Sequence, residues 1–89
     1  MKQYYYITNG SNGTEEFKIL KSNENYLESN TINVLDEFGN GAGWSYEVYV
    51  GGLIQISKEE YEELACYIKD GGNEKFEGFY EKYNRLLQK

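Results

Sequence analysis

The stretch of sequence that decides the fold is residues 57–70, SKEEYEELACYIKD. Its apolar residues stand at positions 61, 64, 65 and 68, which is the spacing of one stripe along an α-helix. Ser57 and Glu60 have the spacing of a capping box, in which each side chain accepts a hydrogen bond from the other residue's backbone N–H. These residues therefore predict an amphipathic helix over 58–70, with its apolar stripe packed against the rest of the chain.

A second helix is predicted after Gly71-Gly72, because these glycines end the first helix and the same apolar spacing then resumes. The second helix should cover residues 73–88. Its stripe contains Phe76, Phe79, Tyr80, Tyr83 and Leu87. Apolar stripes have to be covered, so the two helices should face each other and a further layer of structure.

The first residues of the chain predict a β-hairpin. Residues 4–8, YYYIT, favour β-structure, and a second β-prone run lies around Phe17 and Ile19. Asn9-Gly10 and Asn12-Gly13 between the runs supply the positive φ angles that a hairpin turn needs.

A second hairpin is predicted over residues 44–56. Trp44, Tyr46 and Val48 alternate with polar residues, as they do in a half-buried strand. The two glycines that follow predict a three-residue loop, which would pair Val48 with Ile54. In that register Trp44 faces the helices.

Residues 22–38 leave two interpretations open. Leu27, Val34, Leu35 and Phe38 are spaced as a helical stripe, whereas Thr31, Ile32 and Val34 favour a strand that turns into Trp44. We favour the strand, because β-branched residues pack well on a pleated surface. The chain is thus predicted to form one α+β domain over 1–89, with an antiparallel sheet of four to five strands within 2–56 packed against the two helices.

The negative charge of the chain is concentrated in the predicted helices. The net charge is −6, and residues 59–81 contain eight carboxylates against two lysines. We name the carboxylates predicted to point to water the acidic helical face. Its members are Glu59, Glu62, Glu63, Asp70, Glu74, Glu77 and Glu81.

Two interpretations of the acidic helical face stay open. Glutamates on exposed helices are ordinary solubilising residues, and Glu81 can pair with Arg85 four residues on. However, residues 59–63 hold four carboxylates and no basic residue, a bias of sign that favours a binding surface. Tyr5 and Tyr49 are candidate aromatic anchors beside it, since aromatic residues strengthen protein interfaces.

Several function classes are disfavoured by the composition. The chain has no histidine for general acid–base work, and Cys66 has no activating neighbour, so we expect neither an enzyme nor a zinc site. No run matches a calcium loop, and no cofactor is expected. The scattered basic residues do not predict direct binding of nucleic acid. A single cysteine, the lack of a long apolar run and the polar N-terminus predict a cytoplasmic protein without membrane contact.

In size, acidity and combination of sheet with helices, the chain resembles the small anti-defence proteins of phages, anti-CRISPR proteins in particular. It is similar in the same respects to immunity proteins that neutralise nuclease toxins. The resemblance covers the overall character of all 89 residues and rests on no motif, so it assigns no functional residue.

The charge pattern predicts a basic partner that binds nucleic acid, to which the chain presents carboxylates where phosphates would sit. The resemblance implies stoichiometric inhibition of a nuclease or nuclease complex, without cofactor or chemistry, in the host cytoplasm if the protein comes from a phage. The alternative is a phage or bacterial structural or interaction protein whose acidity serves only solubility.

Overall fold

The computed structural model describes residues 2–8, 18–38, 43–71 and 77–88. It contains five strands and two helices: β1 (Tyr4–Thr8), β2 (Ile19–Ser22), β3 (Thr31–Asp36), β4 (Trp44–Tyr49), β5 (Leu53–Ile56), α1 (Lys58–Gly71) and α2 (Glu77–Leu87). The strands form one antiparallel sheet in the order β4-β3-β2-β1-β5. The predicted α+β architecture is confirmed.

The sheet is curled, because its two edge strands are joined by a very short connection. Only the 3₁₀ turn Val50–Gly52 links β4 to β5. In a flat sheet, four strand spacings would separate these edges by about 19 Å. A 3₁₀ turn of this length advances the chain by only about 8 Å from Tyr49 to Leu53. The sheet therefore curls into a partly closed barrel, with one face turned inward.

The inward face holds its own apolar cluster. Tyr6, Leu20, Ile32 and Val34 are at most 2% exposed and pack with Leu53 from the opposite edge. Within the described residues this cluster contains no helical side chain.

The outward face of the sheet packs against both helices. Ile7, Ile19 and Ile56 belong to the same buried cluster as the helical residues. The helical members of this cluster are Tyr61, Leu64, Ala65, Phe79, Tyr83 and Leu86. Both predicted stripes are confirmed where they are described, and Leu86 is an addition to them.

The capping box is also confirmed. The Ser57 N–H donates to Glu60 Oε1 at 2.8 Å, and the Glu60 N–H donates to Ser57 Oγ at 3.0 Å. The helix begins at Lys58 and ends at Gly71, one residue later than predicted. Residues 72–76, which include Phe76, lie outside the described residues. No helix in the described part of the chain is long and apolar enough to cross a membrane.

Two predicted strand features are confirmed. β1 pairs with β2, with Tyr6 opposite Leu20, although the residues of the predicted turn lie outside the described ranges. Residues 31–36 form a strand that pairs with β4, so the helical interpretation of 22–38 is wrong. Leu27, a member of that supposed helical stripe, is 76% exposed.

The predicted hairpin between β4 and β5 is wrong. Val48 pairs with Ile32, and Ile54 pairs with Ile7, so β4 and β5 lie at opposite edges of the sheet. The two glycines lie in the 3₁₀ turn instead of a hairpin loop. As a result Trp44 lies on the face away from the helices and is 55% exposed, contrary to the prediction.

Phe79 offers a test of the helix-to-sheet core. Its ring is fully buried and stacks on Tyr83, with the ring centroids 5.3 Å apart. We expect Phe79→Ala to lower the free energy of unfolding by about 3–5 kcal/mol, the usual cost of deleting a buried aromatic ring. Urea denaturation measures this. The control is Leu27→Ala at the surface, which should change stability by less than about 0.5 kcal/mol. Equal stability of the two variants would contradict this packing.

Candidate protein-binding site

The structure places the described members of the acidic helical face at the surface. Glu59, Glu62 and Glu63 are exposed on α1, and Glu81 is exposed on α2. The position of these carboxylates follows from the buried stripes, which turn the other side of each helix to water. Glu74 lies outside the described residues. Asp70 and Glu77 lie on the helices, but their side chains are not described.

Basic residues interrupt the acidic helical face. Among the described residues three ion pairs involve it, with N–O distances of 3.9 Å for Lys58–Glu62, 2.8 Å for Lys82–Glu63 and 2.6 Å for Arg85–Glu81. The pairing of Glu81 with Arg85 was predicted from their spacing and is confirmed. The lysine of α2 that reaches Glu63 was not predicted, because its proximity depends on how the helices pack.

These ion pairs differ in what they leave available to a partner. Glu63 is held at a short distance by Lys82, whose side chain is only 24% exposed. By contrast, Lys58 and Glu62 are both more than 60% exposed and lie 3.9 Å apart, so their interaction is weak and screened by water. Among the described residues, no ion pair involves Glu59. The acidic helical face is therefore strongest at Glu59 and Glu62, three residues apart on α1.

The two candidate tyrosines have different environments. Tyr5 is half-buried, and its ring packs on Tyr61 of α1 with centroids 5.1 Å apart, so much of its surface belongs to the core. Tyr49 is 71% exposed at the end of β4. Of the two, Tyr49 is the one that offers an aromatic surface to a partner.

Trp44 is a second exposed aromatic residue on the same strand as Tyr49, and its exposure was not predicted from the sequence. Trp44 begins β4 and packs edge-on against Tyr46, with centroids 5.9 Å apart, yet it stays more than half exposed. The alternation in β4 was visible in the sequence. The edge position that leaves Trp44 uncovered was not, because it depends on which strands are neighbours.

Two titratable groups with shifted pKa values, Tyr61 and Glu37, belong to a cluster that connects α1 to the strands. The Tyr61 hydroxyl donates to Glu37 Oε1 at 2.6 Å, and Lys21 Nζ lies 3.2 Å from the same oxygen. The hydrogen bond from Tyr61, together with Lys21, holds the pKa of Glu37 below its ordinary value. Burial, and then the carboxylate, raise the pKa of Tyr61. The tyrosine thus stays protonated and the glutamate ionised, which suits a structural contact better than proton transfer.

The buried carboxylate of Asp36, beside this cluster, also has its hydrogen-bonding partners within the chain. Asp36 is 3% exposed and lies 3.2 Å from Lys18 Nζ, while the Tyr46 hydroxyl donates to it at 3.3 Å. The Phe38 N–H donates to its second oxygen at 3.2 Å. Among the described residues, no three cysteine or acidic side chains are grouped as a metal ion would require.

No protein-family model matches the chain, and no similar sequence or structure was found among the curated proteins and the solved structures. Function is therefore inferred from the surface of this chain. Two exposed surface features of the described residues are the acidic side of α1 and the aromatic residues Trp44 and Tyr49 of β4.

The contact between Tyr61 and Glu37 can be tested through its pH dependence. Tyr61→Phe should raise the pKa of Glu37 towards the ordinary value of about 4.3. Because the pKa of Glu37 is depressed in the folded state, its contribution to stability is present above that ordinary value and is lost as the pH falls through the folded-state pKa. Wild type should thus exceed the variant in stability at pH 7, and the difference should shrink in acid.

Urea denaturation at pH 7 and at acid pH measures the stability difference, and NMR titration measures the pKa of Glu37. Tyr49→Phe is the control, since Tyr49 is largely exposed and its hydroxyl should contribute little. A stability difference between wild type and Tyr61→Phe that stays constant down to acid pH would mean that the charge of Glu37 plays no part.

Proposed function

We propose that this protein binds a basic protein partner stoichiometrically and inhibits it, the partner being a nuclease or another nucleic-acid-binding effector. The observation that carries the proposal is the exposed pair Glu59 and Glu62 on α1, in a chain with a net charge of −6. Residues three apart on a helix have Cβ atoms about 5–6 Å apart, so these carboxylates present a concentrated negative charge.

Carboxylates on α1 would occupy the surface that a basic partner uses for phosphates. Arginine binds carboxylate and phosphate through the same planar pair of N–H donors. Complementary charge also speeds the encounter of two proteins, more than it increases their final affinity. Inhibition would follow from occupancy alone, without cofactor or chemistry.

The way α1 is fixed supports this role. Tyr61 and Leu64 are at most 4% exposed, and the Tyr61 hydroxyl donates a hydrogen bond to Glu37, the residue after β3. A helix held in this way presents its outer carboxylates without having to fold on binding, which lowers the entropic cost of association.

The second candidate function is a structural or interaction protein whose acidity serves only solubility. The ion pairs of Glu63 with Lys82 and of Glu81 with Arg85 favour it, since they neutralise part of the acidic helical face within the chain. In this case Glu59 would stabilise α1 through its place in the first turn, at the positive end of the helix dipole. The two candidates differ in how binding responds to salt and to charge reversal.

The experiment reverses the charges on α1. A partner captured from host lysate at low ionic strength is purified, and its association with wild type and with Glu59→Lys/Glu62→Lys is measured by surface plasmon resonance. We expect the double variant to associate about tenfold more slowly or worse at low salt, with the difference decreasing as salt rises. Wild type should also compete with duplex nucleic acid for the partner.

Two control variants distinguish an effect of the position on α1 from an effect of net charge. Glu28→Lys and Glu62→Lys change the net charge equally at exposed sites, but only the second lies on α1. Glu28→Lys should therefore have the smaller effect. Neither substitution should alter stability by more than about 0.5 kcal/mol. If the double variant binds as fast as wild type, or if no basic protein is captured, the solubility interpretation replaces the proposal.

A further inference from the structure

The outer edge of β4 carries backbone hydrogen-bonding groups that no other described strand uses. In the part of the chain that the structure describes, β4 pairs only with β3. The Val50 N–H donates to the Asn30 carbonyl at 3.1 Å, which continues the β3–β4 ladder. Because ladder bonds alternate along an antiparallel pair, the even-numbered residues of β4 bond to β3. The N–H and C=O groups of Ser45 and Glu47 therefore point outward.

This edge has little of the usual protection against another strand. Natural edge strands are kept short or carry charged residues, lysine especially, or proline. β5, at the other edge, has four residues, whereas β4 has six, contains neither lysine nor proline, and has Glu47 as its one charged residue. Trp44 and Tyr49 on β4 are 55% and 71% exposed. The β4 edge thus fits an added strand.

We propose that the added strand is β4 of a second copy of this chain, paired antiparallel about a twofold axis at Tyr46. A twofold axis places one residue of the strand opposite itself, and only an axis near the middle of β4 overlaps most of its residues. The central choices are Tyr46 and Glu47. An axis at Glu47 would set two like charges opposite each other, which is unfavourable.

The axis at Tyr46 gives complementary pairs instead. Tyr46 lies opposite Tyr46 of the second copy, and Trp44 lies opposite Val48. These are aromatic–aromatic and aromatic–β-branched pairs, which stabilise antiparallel strands. Glu47 lies opposite Ser45, away from its own symmetry mate. The sequence of β4 is therefore complementary to itself in this one register.

The backbone groups agree with the same register. Ser45 of one copy lies opposite Glu47 of the second copy. Because the outward N–H and C=O groups of these two residues face each other, they form a hydrogen-bonded pair, and the twofold symmetry repeats this pair. Tyr49 reaches Gly43, which has a φ of 79° and no side chain to obstruct the ring. An aromatic residue across from a glycine is a known way of stabilising a sheet edge.

This dimer is independent of the proposed function, because α1 takes no part in it. The dimer should also respond to salt in the opposite direction from the complex with a basic partner. Two copies of charge −6 repel each other, so screening should strengthen the dimer, whereas it should weaken binding to a basic partner. Each proposal can fail without the other.

The test is sedimentation equilibrium of the full chain and of charge variants at Ser45, which is exposed. In the Tyr46 register, Ser45→Lys creates two pairs with Glu47 and should tighten the dimer about two- to thirtyfold. Ser45→Glu should weaken it by a similar factor. Combining Ser45→Glu with Glu47→Lys sets opposite charges across from each other at both pairs and should restore dimerisation. Gln55→Glu on β5 has the same net charge as Ser45→Glu and should weaken the dimer much less, because it adds only to the general repulsion between the copies.

Amide hydrogen exchange provides a second readout within the same sample. The amides of Ser45 and Glu47 should become protected as concentration rises, while those of Tyr46 and Val48 should be protected at every concentration. A chain that remains monomeric up to about 1 mM would overturn the proposal. So would a dimer that ignores charge at Ser45, or one that protects β5 in place of β4.

Discussion

The connection of three residues between β4 and β5 is the constraint on which the rest of the structure depends. It brings together strands that belong to opposite edges, and the sheet can satisfy it only by curling. Curling gives the sheet an inner face and an outer face, and both faces have to be covered by apolar side chains. β1 shows the consequence most directly. Its neighbouring residues Tyr6 and Ile7 point to opposite faces, and both are fully buried.

Three of the ten tyrosines are explained by this double core. Tyr6, Tyr61 and Tyr83 are at most 4% exposed. Each places its ring in a cluster and its hydroxyl on a partner: the Glu24 carbonyl, the Glu37 carboxylate and the Thr8 carbonyl, respectively. In so small a domain, a side chain with an apolar body and a polar tip can fill a core and also hold a loop or a strand end. Tyrosine richness by itself is therefore weak evidence for an interface here.

The sequence predicted what depends on local spacing. α1 and its capping box follow from residues 57–70, and the exposure of Glu59 and Glu62 follows from the same stripe. The pairing of β5 with β1 was not predictable in this way, because a period of two residues identifies a strand without identifying its neighbour. Two glycines suit a hairpin loop as well as the observed 3₁₀ turn. The ion pair from Lys82 to Glu63 was missed for the related reason that it joins different helices.

The two exposed surfaces also differ in what kind of recognition they support. The carboxylates of α1 act over several ångströms and tolerate many arrangements of positive charge, which suits rapid encounter with a basic protein. The β4 edge acts only at hydrogen-bonding distance and only in register, because a shift by one residue reverses every side chain. Glu47 makes the register more specific, because it disfavours the register in which it lies opposite Glu47 of the second copy. A surface that is selective through geometry and one that is selective through charge can thus lie on one small barrel without depending on each other.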